Sequence, residues 1–221
     1  MKNIIIALDG LTTKEALSLA EETQGLVWGY KIHEHILREG FGLIQEFKKF
    51  GKVFVDFKFH DTPTTVGAEV HALVEKGADL ITVHASGGVE MLKEAVKQGG
   101  DKITAITILT SLDEQEVAHT YNASAEEMVR RLSTLASEAG VKNIVCSPHE
   151  INIVKQVNST LNVITPGIRE VKTTDDQKRT MTAREAVVEG ANLLVIGRPI
   201  TKAPDPRQAL EDILATLKTN N

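Results

Sequence analysis

Cysteine occurs once, at Cys146, in a chain of 221 residues. A lone thiol excludes an intramolecular disulfide and fits a reducing compartment. Within the run Asn143-Ile144-Val145-Cys146 it reads as a small core residue. Aromatic residues make up only 4% of the chain, against 42% hydrophobic residues in all, so Ala, Val, Ile and Leu carry the apolar load. That balance suits strands packed against helices, and the length can bury one large core. The formal charge is −5 with the signs interspersed. No basic stripe points to nucleic acid, and no polybasic segment points to a membrane surface. No apolar run has the length of a membrane span, and Met1 leads into a strand pattern at Ile4 without the series of a secretory leader. Neither a linker nor a low-complexity tract interrupts the chain. The expectation is a soluble, cytoplasmic protein.

What the chain does contain is an alternation of β-rich runs and helix-period segments. The pattern predicts eight strands: Ile4–Asp9, Val27–His33, Val53–Lys58, Leu80–Ala85, Ile103–Leu109, Asn143–Ser147, Asn162–Pro166 and Leu193–Gly197. Between them it predicts helices over Lys14–Thr23, His35–Phe50, Val66–Lys76, Glu90–Lys97, Ala125–Ala139 and Ala183–Glu189, with Pro206–Leu217 last. Gly51, Gly77, Gly140 and Gly190 each follow a helical segment, where a left-handed cap is wanted. Pro63 and Pro206 sit at first-turn positions behind Thr62 and Asp205 as candidate caps. The strands read as nearly continuous apolar runs, the pattern of a parallel sheet covered by helices. Eight βα units without a composition break predict a single α/β domain over residues 1–221, a closed (β/α)8 TIM barrel. A doubly wound open sheet is the alternative. Two connections run long, 110–124 and 167–181, and long connections in a compact domain are usually functional or mobile.

Residues 56–61 read Asp-Phe-Lys-Phe-His-Asp, at the end of an apolar strand. Strand geometry sends Asp56 and Lys58 to one face and Phe57 and Phe59 to the other. Charges on a strand built for burial are costly unless they pair or do chemistry. An ion pair at a strand end would account for them alone, but polar groups end nearly every strand: Asp9, then Lys31 and His33, His84 and Ser86, Thr110 and Ser111, Ser147 and His149, Arg169, and Arg198. The C-terminal strand ends are where barrels of this kind carry their active sites. Gly197 and Arg198 suggest a phosphate site, the glycine for close backbone approach and the guanidinium for two oxygens, with the polar loop 170–181 as a lid. The rival account is a solvated loop and a capping arginine. His33, His35 and His60 raise the question of a metal, but no histidine pair has the i, i+4 spacing with a carboxylate of a zinc helix, and none is expected.

Taken in order, these residues resemble the orotidine 5′-phosphate decarboxylase family along essentially the whole chain, in its bacterial form. The resemblance rests on Ala7-Leu8-Asp9, Lys31, Asp56 to Val66, Val83 to Gly88, Leu109-Thr110-Ser111, Cys146-Ser147, Thr165 to Arg169, Asp176-Gln177-Lys178-Arg179 and Gly197 to Thr201. The D-x-K-x-x-D core alone fits a wider superfamily; T-P-G-I-R, D-Q-K-R and G-R-P-I-T make it specific. The resemblance implies that Asp9 and Lys31 hold the ribose hydroxyls and that Lys58, flanked by Asp56, is the proton donor. It implies that Asp61 and Thr65 reach the neighbouring site of a homodimer, and that Thr110 with Ser111 faces the pyrimidine. Gln177, Gly197 and Arg198 would bind the phosphate, supported by Arg169. Neither cofactor nor metal is implied. One departure stands out: His33-Glu34-His35 replaces the small or aliphatic residues usual after the lysine, a change expected to tune packing or dimer contacts.

Two other readings remain open. A sister decarboxylase acting on 3-keto-gulonate 6-phosphate would share the barrel and the D-x-K-x-x-D core but use Mg²⁺ to hold an enediolate. A barrel that binds nucleotides without turnover would have no reason to keep the costly charges of Asp56, Lys58 and Asp61.

Overall fold

The strand pattern folds as a closed barrel whose neighbours follow chain order, β1 to β8, with every pairing parallel. In this computed structural model residues 2–169 and 180–218 are described. The strands are β1 (Ile4–Ala7), β2 (Gly29–Ile32), β3 (Lys52–Phe59), β4 (Leu80–His84), β5 (Ile103–Ile106), β6 (Asn143–Val145), β7 (Asn162–Thr165) and β8 (Leu193–Ile196). Most are shorter at their C-terminal ends than the residue pattern predicts, because the last residues of each run leave the ladder to form the rim.

Alternation decides what lies inside. In β1, Ile5 and Ala7 join Phe54, Leu80, Ile164 and Val195 in a small cluster, while Ile4 and Ile6 belong to the large one that includes helix residues such as Leu19 and Leu210. Parallel strands buried on both faces explain why the runs read as continuously apolar.

The helices are α1 (Thr13–Thr23), α2 (Glu34–Glu39), α3 (Leu43–Lys48), α4 (Pro63–Glu75), α5 (Val89–Gly99), α6 (Glu114–Tyr121), α7 (Ala125–Glu138), α8 (Ile151–Val157), α9 (Ala183–Glu189), α10 (Arg198–Thr201) and α11 (Pro206–Lys218). Two differences from the sequence expectation have local causes. The helix expected over 35–50 divides at Gly40, whose φ of 84° ends α2, and restarts after Gly42. The connection 110–124 is not a plain loop, because Asp113 and Glu116 form a capping box that starts α6. The helix α8, after β6, was not anticipated from the pattern.

Gly77, Gly140 and Gly190 have the expected positive φ, at 91°, 82° and 110°. Gly51 does not; an added Cβ there would lie 3.2 Å from the Tyr30 ring, so close packing is what favours glycine. Asp205 caps α11 through the Gln208 N–H at 2.9 Å, whereas the Thr62 hydroxyl makes no cap bond and instead meets Thr65 Oγ1 at 2.9 Å.

Candidate active site

Strand β3 brings the charges together through an irregularity rather than a regular pleat. Its ladder with β4 shifts register between Val55 and Phe59, and within that shift Lys58 takes a φ of 56°. A left-handed lysine is strained, and strain of this kind persists only where the surroundings hold it. Here Thr82 of β4 does so: its hydroxyl accepts from the Lys58 N–H at 2.8 Å and donates to Asp56 Oδ1 at 3.0 Å. The bulge re-aims the Lys58 side chain so that Nζ lies 2.8 Å from Asp56 Oδ2. Phe57 and Phe59 meet each other with ring centroids 5.7 Å apart, sorted from the charges as the alternation predicts.

The pair extends into a chain of alternating sign. Lys31 Nζ lies 3.0 Å from Asp56 Oδ2 and 2.7 Å from Asp9 Oδ2, giving Asp9, Lys31, Asp56, Lys58 in sequence. Burial by itself would push the Asp56 carboxyl up, but the ammonium groups of Lys31 and Lys58 outweigh it and hold the group below the usual carboxylate range. Burial likewise pulls Lys31 down, and the carboxylates of Asp56 and Asp9 more than offset it, leaving Lys31 above its ordinary value. Both interior groups are therefore held charged.

These four side chains line a cavity of about 530 Å³ at the C-terminal rim of the strands. Phe54, Ile106, Ile108, Val145, Pro166 and Val195 supply apolar wall, and Thr110 a hydroxyl. Gly197, Arg198 and Arg169 also line it. Arg169 is buried, donates to the Ile168 carbonyl at 2.8 Å, and its N–H donates to the Met181 carbonyl at 2.9 Å, tying the two stems of the 170–179 segment together. An added Cβ at Gly197 would meet nothing closer than Ala7, 3.5 Å away. Lys202, the residue that ends the short helix α10 begun by Arg198, is a cavity residue the sequence reading missed. Thr82 was missed as well, because its role depends on the neighbouring strand.

Other expected site residues lie elsewhere. Asp61, Thr65 and Ser111 are exposed and do not line the cavity, and Asp61 Oδ1 accepts from the Thr62 N–H at 2.6 Å. Gln177, with Asp176, Lys178 and Arg179, lies outside the described residues. His84 stands 5.5 Å from His60, centroid to centroid; burial, helped by His60 and Lys58, lowers its pKa against the pull of Asp56. Asp9, His33 and Glu34 each offer a ligand-type atom within 4.8 Å of the others, but Asp9 is paired with Lys31 and Glu34 Oε1 accepts from the Gly10 N–H.

Fold and site together define a (β/α)8-barrel protein with an alternating ammonium–carboxylate chain and a cationic rim facing one cavity. The chain belongs to the orotidine 5′-phosphate decarboxylase / HUMPS family, whose sequence profile matches residues 2–213. It is 40% identical over 224 residues to the orotidine 5′-phosphate decarboxylase of Dichelobacter nodosus, covering 97% of this chain and 98% of that one. The Maridesulfovibrio salexigens enzyme of the same name is 37% identical, with 99% and 100% covered. Among solved structures, orotidine 5′-phosphate decarboxylase from Lactobacillus acidophilus superposes with a TM-score of 0.82 at 29% identity, covering 99% of this chain and all of that one.

Proposed function

We propose that this protein is an orotidine 5′-phosphate decarboxylase, a carboxy-lyase converting orotidine 5′-phosphate to UMP and CO₂ in pyrimidine biosynthesis. The observation that carries this reading is the Asp9–Lys31–Asp56–Lys58 chain, which aims a fixed ammonium into a cavity large enough for a nucleotide. Breaking the bond between pyrimidine C6 and its carboxyl carbon leaves the electron pair on C6, with no conjugated sink. Through-space stabilisation is the remedy such a carbanion needs, and the Lys58 ammonium supplies it in a site walled by apolar side chains. Lys58 then delivers its proton to C6 as general acid, and CO₂ departs.

Asp56, held ionised between two lysines, orients the Lys58 ammonium through their 2.8 Å contact. With an Asp61 contributed by the second copy of the chain, it faces the substrate carboxylate with negative charge, which disfavours the bound substrate relative to the transition state. Asp9 and Lys31 bind the ribose hydroxyls, and Thr110, with Ser111 beside it, meets the pyrimidine. Gly197, Arg198, Arg169 and Gln177 hold the phosphate, whose binding energy favours the reactive geometry. Lys202 adds a further positive charge at that wall.

Asp61 and Thr65 act in the neighbouring site of a homodimer. Their exposure, and their position off the cavity of their own chain, support that role.

The test is the ultraviolet absorbance of orotidine 5′-phosphate incubated with metal-free enzyme and excess EDTA. A steady change to the UMP spectrum is expected. A flat trace from folded protein would sink this reading, and sugar phosphates with Mg²⁺ would then be the substrates to try.

A further inference from the structure

His33-Glu34-His35 takes no part in the reaction proposed above, yet two of its side chains reach 24 residues back along the chain. Glu34 Oε1 accepts from the Gly10 N–H at 2.7 Å, and His35 Nε2 lies 3.1 Å from the Leu11 carbonyl oxygen. A carbonyl oxygen only accepts, so Nε2 carries the proton and His35 donates. His35 is fully buried and its Nδ1 has no partner, so this one bond is what orients the ring. Both contacts fall on the turn between β1 and α1. That turn is closed by the Leu11 N–H donating to the Leu8 carbonyl at 3.2 Å, and Gly10 within it has a φ of 82°. Asp9 sits inside the same turn, with its side chain 42% exposed, and among the described residues it is attached to the rest of the charged chain only through Lys31.

We propose that Glu34 and His35 bracket the β1–α1 turn and are positioning residues for Asp9, setting where its carboxylate meets Lys31 and a bound ligand. The physical need is specific. Asp56 and Lys58 stand on a strand locked into the barrel, whereas Asp9 stands on a turn whose backbone groups need partners from outside it. A site held to within a fraction of an ångström requires its supporting shell to be fixed as well. Glu34 and His35 supply that support from the first residues of α2, the element that follows the Lys31 strand, so Lys31 and its partner Asp9 are referenced to one piece of structure. Burial raises the Glu34 carboxyl, but the Gly10 N–H, its own N–H and the neighbouring His35 and Arg38 outweigh that and keep it below its ordinary value, as expected of an ionised acceptor.

The inference rests on the decarboxylase reading for its kinetic test, so a second readout is independent of substrate. Glu34→Ala is expected to lower kcat/KM about ten-fold. Glu34→Gln, whose side-chain carbonyl still accepts from Gly10, is expected to stay within about two-fold of wild type. In an Asp9→Ala background, Glu34→Ala should cost nothing further, since a residue acting through Asp9 has nothing left to position. Additive losses, or a Gln variant as impaired as Ala, would overturn the proposal. Amide hydrogen exchange of residues 8–12 should quicken in Glu34→Ala and not in Glu34→Gln. Unchanged exchange would overturn the bracket even for a protein that turns over no orotidine 5′-phosphate, whereas an inactive wild type sinks only the decarboxylase reading.

Discussion

At the scale of single residues, the arrangement to explain is a lysine with a left-handed backbone beside a buried carboxylate. Lys58 is held there by the Thr82 hydroxyl and by Asp56, and the strain is the means by which its ammonium enters the cavity. Under the proposed mechanism, Lys58→Ala should abolish turnover, with a loss of at least about a thousand-fold from the electrostatic and proton-transfer roles proposed for it. UMP affinity should change only a few-fold, because the residues proposed to hold the phosphate follow other strands. Isothermal titration beside the absorbance assay checks both, and equal loss of both would contradict the role given to Lys58.

Asp56 offers a pH test. Its folded pKa is depressed, so its contribution to stability is full above the unfolded value and is lost as pH falls through the folded one. Lys31 is raised, so its contribution is full below its unfolded value and is lost as pH rises through the folded one. Stability from this chain should be level between about pH 4 and about pH 10 and fall outside. Asp56→Asn, which leaves buried ammonium groups without their carboxylate, should cost about 3 kcal/mol on that plateau. In urea titrations at a series of pH values, the difference from wild type should narrow on the acid side.

At the scale of elements, local sequence signals and tertiary demands agree in most places. Thr12 with Glu15, Asp113 with Glu116, and Thr182 with Glu185 form capping boxes at the starts of α1, α6 and α9. Each satisfies backbone donors that the first helical turn leaves open. Thr12→Ala should cost about 1 kcal/mol in a denaturant titration without changing its slope. Because α1 begins just beyond the turn that carries Asp9, the same variant is expected to fray that turn, giving faster amide exchange at residues 10–12. The divided helix α2–α3 has its own logic. Ending α2 at Gly40 lets Glu34 and His35 meet the β1–α1 turn while Ile44 and Phe47 of α3 pack into the core.

At the scale of the whole molecule, closing eight parallel strands brings the ends of β1, β2 and β3 to one wall and those of β7 and β8 to the next. A cavity between them needs no insertion and no second domain. Asp61 and Thr65 are exposed on the rim after β3, and in the proposed homodimer they are the groups carried into the neighbouring site. Mixing Asp61→Ala and Lys58→Ala subunits should then restore up to about a quarter of the sites, since one mixed interface carries both intact residues. No recovery, with subunit exchange demonstrated by mass spectrometry, would remove the shared site.

The sequence by itself determined the barrel, because apolar runs buried on both faces and helix-period segments are local properties of the chain. It also determined which residue types stand at the strand ends, and hence Asp9, Lys31, Asp56, Lys58, Thr110, Arg169, Gly197 and Arg198 as cavity residues. Spacing alone was weaker where elements are short. It passed over α6 despite the Asp113–Glu116 signal and merged α2 with α3, because the helix-period pattern runs on across Gly40. Only the tertiary structure decided the register shift at Lys58, the bridging hydroxyl of Thr82, the place of Lys202 on the cavity wall, and the reach of Glu34 and His35 to the first turn. Each depends on which strand or loop lies alongside. That adjacency follows from closing the barrel, and no window of sequence contains it.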